Sequence, residues 1–322
     1  MQTLQEFQAL NSLYLDTLAR PIDLDGFKTY AKYLQKGKTL EQIKSQLAIS
    51  IEAKEFASRK KRYADIDLKV KEKLASFDHK NIPQGELFHV VISRYNENVD
   101  WIHKLALFNC KIWLYNKGPS ILEKFNDNVV VRQLENIAYE DYVYVNHIID
   151  NYTILPNRII FMQCGLDHCP NILEKLCNIY TWSCMIPLAN NMGKTGIVSQ
   201  SSIKEIETEY GIICMIEDKN LNDIGGGKPY LDYIRKSFNI PNTITLYDYF
   251  VSYFDLCAIK PAYFIPGAIF YVPGRNIKQV SLTSYVQMKK LIEDFHNLQQ
   301  NGILTKLLGS IFERLWVTIF NQ

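Results

Sequence analysis

Between Tyr139 and Pro170 the chain changes its hydrophobic period, and that change limits the folds open to it. From Tyr139 to Tyr152 the apolar side chains Tyr142, Val145, Ile148, Ile149 and Tyr152 recur at three-to-four spacing, the stripe of a helix, while Glu140, Tyr144 and His147 fall on a neighbouring face. A turn at Pro156-Asn157 follows. Arg158 to Gln163 then holds four consecutive large apolar residues, Ile159, Ile160, Phe161 and Met162. A run so short and so uniform is a strand covered on both faces, because a half-exposed strand would alternate. Just beyond it stand Cys164-Gly165-Leu166-Asp167-His168. A buried strand that ends in polar groups is where α/β proteins place their chemistry.

The same alternation runs upstream. Leu87 to Ser93 reads as a buried strand ending at Arg94-Tyr95-Asn96-Glu97, and a helix is expected over Trp101 to Phe108. Lys111 to Tyr115 is a second strand with Asn116-Lys117-Gly118 at its end, and Asn128 to Arg132 a third. No Gly-rich phosphate loop occurs. The series strand, helix, strand, strand, helix, strand predicts an α/β fold. Downstream, Asn171 to Tyr180 is expected to be helical, and residues 190–230, with Gly193, Gly196 and Gly225-Gly226-Gly227, read as a lid or an inert loop. Tyr247 to Phe254 is apolar and aromatic, Ala262 to Val272 brings a turn against a strand, and Ile303 to Phe320 is a core helix carrying Glu313-Arg314-Leu315-Trp316.

Residues 1–58 read as a small all-α module. Phe7, Leu10, Leu13, Tyr14 and Leu18 mark its first helix, Leu24 to Leu34 its second, closed by Gly37, and Thr39-Leu40-Glu41-Gln42 is a capping box that opens a third. Residues 59–84, opening with Arg59-Lys60-Lys61-Arg62, alternate in sign and form a charged linker, for which peripheral contact with an anionic membrane surface is the alternative. Residues 85–322 are left as the second domain. A chain of 322 residues has room for two domains, and its 47% hydrophobic and 22% charged content is that of a folded chain. The net charge of +2 gives no ground for a nucleic-acid partner. Seven cysteines without a C-x-x-C pair read as reduced, buried thiols. The N-terminus lacks a basic start and an apolar core, and no window reaches the roughly 18 apolar residues of a spanning helix, so the expected location is cytoplasmic, at most against the inner face of the membrane.

Taken in order, Val90-Val91-Ile92-Ser93-Arg94-Tyr95-Asn96-Glu97, Tyr115-Asn116-Lys117-Gly118, Val145 to Tyr152 with Leu155-Pro156, Ile160 to Gln163 before Asp167-His168-Cys169-Pro170, Pro266 to Phe270, and Glu313 to Trp316 resemble a bacterial domain family of unknown function. That family itself looks like a glycosyltransferase of the GT-A class, and the resemblance spans about residues 87 to 320. Leu13 to Tyr30, with Lys36-Gly37 and Ser50-Ile51-Glu52 before Phe56, resembles a small helical domain that often accompanies bacterial surface-polysaccharide glycosyltransferases. What the resemblance implies is a GT-A-like, Rossmann-like mixed sheet flanked by helices. It further implies transfer of a sugar from a nucleotide-sugar to a surface glycan: capsule, lipopolysaccharide, glycoprotein or a lipid-linked glycan. A non-catalytic nucleotide- or carbohydrate-binding protein of the same fold is the alternative. Two departures stand out: the acidic pair with one intervening residue that holds a divalent metal in many enzymes of this class is absent after Gln163, and Cys164-Gly165 stands where the family carries Gly-Asp.

Sugar transfer needs a cradle for the nucleotide, charge compensation for the departing diphosphate and a base for the acceptor hydroxyl. Arg94, Tyr95 and Asn96, with Asn116 and Lys117 at the neighbouring strand end, are the candidates for the cradle. Asp167 and His168 are candidates to hold Mn2+ or Mg2+, since hard cations take oxygen and manganese accepts imidazole; either also suits the N-cap of the next helix. Arg94, Lys117 or Arg275 would meet the diphosphate without a metal. Glu313, beside inward-pointing Leu315 and Trp316, is a candidate base or the partner of a basic side chain that fastens the last helix. Glu140 and His147, two turns apart on one helix face, are candidates for catalysis or positioning. His89, inside an apolar strand, reads as a core histidine.

Overall fold

The computed structural model describes residues 2–18, 24–50, 85–190, 204–221, 228–297 and 303–322, with isolated positions between 53 and 75. Two compact units result, Met1–Lys69 and Val70–Gln322. The expected linker lies almost wholly outside the described residues, and the division falls within it.

The first unit holds helices α1 (Gln2–Leu18), α2 (Leu24–Gln35) and α3 (Leu40–Ala48). Leu10, Tyr14, Ile43, Leu47 and Ala53 form its core, with Phe27, Tyr30 and Leu34 packed against them. Both expected helix signals are present. Gly37 has φ 83, which lets Lys38 N–H reach Tyr33 O at 3.0 Å and Gly37 N–H reach Leu34 O at 2.9 Å, the paired bonds that close a helix over a left-handed glycine. Thr39 accepts from Gln42 N–H at 3.2 Å while the Gln42 side chain accepts from Thr39 N–H at 2.9 Å.

The second unit is mixed α/β. Its main sheet has six strands in the order β3-β2-β1-β4-β9-β5, where β1 is Phe88–Arg94, β2 Cys110–Asn116, β3 Val129–Gln133, β4 Arg158–Gln163, β5 Ile186–Pro187 and β9 Phe270–Pro273. The first four are parallel and β9 is antiparallel to both its neighbours. Phe88 to Ile92 and Ile159 to Met162 are buried on both faces, as an uninterrupted apolar run requires. A second sheet joins β6 (Lys204–Glu207), β7 (Ile212–Met215) and β8 (Tyr263–Phe264).

Connectivity fixes where a site can lie. From β1 the chain moves to β2 and β3 on one side, and the helix Asp141–Asn151 then carries it to β4 on the other side of β1. The carboxyl ends of β1 and β4 therefore flank a crevice where strand order reverses, the place where open α/β sheets bind ligands. The register keeps these ends level, with Ser93 opposite both Tyr115 and Gln163, and Arg94 opposite Asn116. Because β9 runs the other way, the turn before it, Pro266–Ala268, arrives at this crevice.

Several expected elements differ in detail. The helix after the first strand is a 3-10 helix, Asp100–Leu107, with Ile102 bonded back to Val99 and Phe108 to Leu105. Asn171 to Tyr180 is a short helix, Ile172–Leu176, followed by a 3-10 turn, Ile179–Thr181. The central helix begins at Asp141 because Ala138 and Tyr139 take left-handed φ values of 42 and 49. Part of the stretch expected to be irregular is ordered as the β6-β7 hairpin and the helix Lys228–Ser237, while 191–203 and 222–227 lie outside the described residues. None of the seven cysteines is in a disulfide, and Cys184 and Cys257 are exposed, against the expectation of burial. Among the described residues no helix is long and apolar enough to cross a membrane.

Under the central helix, His89, Trp113, Tyr115 and His147 form one aromatic cluster, with the two imidazoles 5.6 Å apart. His89 Nδ1, His147 Nε2 and Trp113 Nε1 have no hydrogen-bond partner. Burial, then Lys111, lowers the His89 pKa to about 4, and burial holds His147 well below its usual value. Both rings are neutral in the fold. The unfolded chain binds protons near pH 6.5 that the folded chain refuses, in the case of His89 until about pH 4, so their stabilisation is complete above 6.5 and is lost as pH falls, by about 3 kcal/mol for His89 alone. A His89→Leu variant is expected to gain stability relative to the parent between pH 7 and pH 4.5 in denaturant unfolding; a pH-independent difference would refute this. A chain beginning near Pro83 is expected to unfold in one cooperative transition, checked by the coincidence of far- and near-ultraviolet dichroism.

Candidate active site

The site is built from the ends of four strands. Arg94, the last residue of β1, donates from its Nε to Glu97 O at 3.0 Å, and from Nη1 to Asn116 Oδ1 at 2.6 Å, Pro119 O at 3.0 Å and Tyr95 O at 3.2 Å. Asn116, the fully buried end of β2, donates to Gly118 O at 3.2 Å, Pro119 O at 2.9 Å and Gln133 Oε1 at 2.9 Å. The Glu97 carboxylate accepts from the backbone amides of Tyr95 at 2.7 Å and Asn96 at 3.1 Å. Arg94 and Asn116 converge as the strand ends predict, but their polar atoms fasten two loops instead of standing free. The Tyr95 and Asn96 side chains are exposed at the rim.

Deeper in the crevice, three segments distant in sequence meet around Gln163, the last residue of β4. Its Nε2 donates to Glu140 Oε1 at 3.0 Å and to Gly267 O at 3.1 Å. The Gly267 amide in turn donates to Glu313 Oε1 at 2.6 Å. Gly267 has φ 65, and a Cβ there would lie 3.3 Å from the His168 ring, so the turn both needs glycine and brings its backbone against that histidine. Buried Lys117 donates through Nζ to the carbonyl of Tyr139, next to Glu140.

Electrostatics follow from this packing. Burial, then the charge of Glu313, raises the Glu140 pKa to about 7, opposed by Lys117 and by the Gln163 hydrogen bond. Burial also lowers the Lys117 pKa, with Glu140, Asp141 and Glu97 acting the other way. Asp141 is buried, accepts from Trp316 Nε1 at 2.5 Å, and leaves its Oδ2 unpaired; burial and Glu140 hold its carboxyl well above the usual range. A carboxyl that titrates near neutrality inside a crevice can take a proton from a bound hydroxyl.

Among the sequence candidates, Lys117, Glu140, Glu313 and His168 are thus brought together, by the backbone of residues 139 and 267. His147 lies apart: fully buried, its Nδ1 3.0 Å from the Tyr115 hydroxyl, it reaches no surface that a substrate could touch. Arg275 follows β9 to the opposite end of the sheet, where it donates to Ser183 O at 2.5 Å, so it cannot compensate charge here. Glu313 has its basic neighbour, Arg314 Nη1 at 3.4 Å, in addition to the Gly267 amide. The N-cap of Ile172–Leu176 is Asn171, whose side chain makes no capping bond and accepts instead from Asn190 Nδ2 at 2.8 Å, so neither Asp167 nor His168 caps that helix. Asp167 Oδ2 lies 3.9 Å from His168 Nε2. Among the described residues no three His, Cys, Asp or Glu side chains gather to hold a metal ion, so Mn2+ or Mg2+ on Asp167 and His168 would need its remaining ligands from a bound diphosphate and water.

Sequence reasoning passed over Gln163, Asp141, Tyr139 and Gly267 as site residues. For Gln163 a signal existed, since it ends a buried strand as Arg94 and Asn116 do. Because the folded Glu140 carboxyl holds its proton up to about pH 7 while an unfolded one releases it near 4.5, Glu140 adds stability as pH falls through that window and withdraws it as pH rises. Glu140→Gln is therefore expected to gain stability relative to the parent between pH 5 and pH 8, the opposite slope to His89→Leu, in the same unfolding series; parallel curves would show that the carboxyl titrates normally.

No curated protein and no solved structure matches the chain. Residues 90–172, which run from β1 through the helix Asp141–Asn151 and β4 to the Asp167-His168 segment, are similar to a family described as a protein of unknown function (DUF3431).

Proposed function

We propose that the second unit is a nucleotide-sugar-dependent glycosyltransferase of GT-A-like architecture, working on a surface-glycan or lipid-linked acceptor from the cytoplasmic side of the membrane. The observation that carries this reading is the placement of Glu140, whose carboxylate is held by Gln163 at the crevice where strand order reverses, beside the Gly267 turn that Glu313 fastens, and where burial raises its pKa to about 7. A general base is most effective when its pKa is near the working pH. In the proposed step the acceptor oxygen bonds to the sugar carbon as its proton passes to Glu140, and the bond from that carbon to the donor phosphate breaks with its electron pair leaving on the diphosphate. Glu313 keeps the Gly267 turn in place and, by its charge, keeps Glu140 basic enough to accept the proton. Lys117 supplies the nearest positive charge, and Gln163 orients the Glu140 carboxylate.

The alternative, a nucleotide- or carbohydrate-binding protein without turnover, is favoured by one observation. The hydrogen bonds of Arg94 and Asn116 are spent within the chain, which leaves few cations for a departing diphosphate.

Thermal-shift and calorimetric screening over UDP-, GDP-, CMP- and dTDP-sugars is expected to reveal one donor class. With that donor, Glu140→Gln is expected to lower transfer by about 10²- to 10⁴-fold while binding the donor normally, and the parent rate should rise with pH up to about 7 as the base ionises. Failure of every donor to bind ends the reading, and donor binding without transfer or donor hydrolysis selects the alternative.

A further inference from the structure

Tyr139 has no part in the proton transfer above, yet the fold holds it in an unfavourable conformation beside the base. Ala138 and Tyr139 are consecutive non-glycine residues in the left-handed region, which side chains rarely occupy and which persists only where the surroundings enforce it. The enforcing contacts are on either side: the Lys117 ammonium holds the Tyr139 carbonyl, and the Gln163 amide holds the carboxylate of the next residue. Below, the ring lies on Gly309 of the helix Ile303–Ile319, where a Cβ would stand 2.7 Å from Tyr139 Cδ2, so a side chain at 309 would push the ring away. The residue nonetheless remains 45% exposed. The carboxylates stand beside it: Glu140 is the next residue, and the same Cβ position on Gly309 lies 3.2 Å from Asp141 Oδ2.

A ring seated on a helix, open to solvent and next to a base has the form of a sugar platform. A pyranose presents C–H groups on its face and hydroxyls at its edge, so stacking on the ring aims an edge hydroxyl at the neighbouring carboxylate. The molecule that gives its proton to Glu140 is the acceptor. We infer that Tyr139 is the stacking residue of the acceptor subsite and that the acceptor terminates in a pyranose ring, not in an open-chain polyol or a protein hydroxyl. This inference rests on the reading of Glu140 as the base.

The test uses the full chain without nucleotide. Methyl pyranosides of glucose, galactose and mannose are compared with the open-chain polyols sorbitol and galactitol by saturation-transfer NMR and calorimetry. At least one pyranoside is expected to bind about tenfold or more tightly than its open-chain counterpart. Tyr139→Phe should retain that preference. Tyr139→Leu, which keeps the apolar contact with Gly309 but removes the aromatic face, should lose it, as should Gly309→Ala, with unchanged donor binding showing that each variant is folded. Equal binding of pyranoside and polyol, no pyranoside binding, or full binding by Tyr139→Leu would overturn the inference. The donor screen decides the transferase reading separately, because it requires no acceptor.

Discussion

The Gln163 side-chain amide is the joint on which the crevice depends. A primary amide has two N–H groups, and here one is directed to Glu140 at the start of the central helix and the other to the Gly267 carbonyl in the turn before β9. Through the Gly267 amide the bond series continues to Glu313 on the last helix. Three segments separated by long stretches of chain are thereby held at the end of one buried strand. The strand can bear this load because its four apolar residues fix its register: a slip would carry Gln163 into the core at a cost of about 1–3 kcal/mol for each polar group left unpaired. The antiparallel direction of β9 is equally necessary, since a parallel strand would have brought its other end to the site.

Desolvation is the second organising effect, and it acts on both faces of the central helix start. Beneath the helix it keeps His89 and His147 neutral; at its N-terminus it pushes Glu140 and Asp141 toward protonation. Burial disfavours charge of either sign, so the imidazoles fall and the carboxyls rise. The two groups therefore contribute to stability with opposite dependence on pH over much of the same range. A fold that places unpaired polar atoms such as Asp141 Oδ2 and His147 Nε2 in its interior gives up stability to do so; for Asp141 that cost falls beside the crevice, for His147 in the aromatic core.

Much of this was legible in the chain itself. Arg158–Gln163 was readable to the residue, because an apolar run bounded by a turn and a polar cluster admits one alignment with a buried strand. Thr39 and Gly37 were equally plain, since capping chemistry is local. The polar strand ends at Arg94, Asn116 and Lys117 were visible as positions but not as partners. Spacing alone put Glu140 and His147 together as a pair. In the fold Glu140 is the N-cap and turns to Gln163, whereas His147, two turns on, is pressed into the Tyr115 and Trp113 rings.

The sequence by itself determined an α/β domain behind a helical module, the buried strands and the polar residues at their ends, because these follow from periodicity, capping and the cost of burying unpaired groups. Only the tertiary structure decided which of those polar residues meet. The approach of Gly267 to Gln163, the seat of Tyr139 on Gly309 and the departure of Arg275 to the far end of the sheet all depend on strand order and direction, which are set by packing between segments that share no local signal. The pKa of Glu140 belongs to the same class, since it is produced by burial among Glu313, Lys117 and Gln163 and has no trace in the residues next to it in the chain.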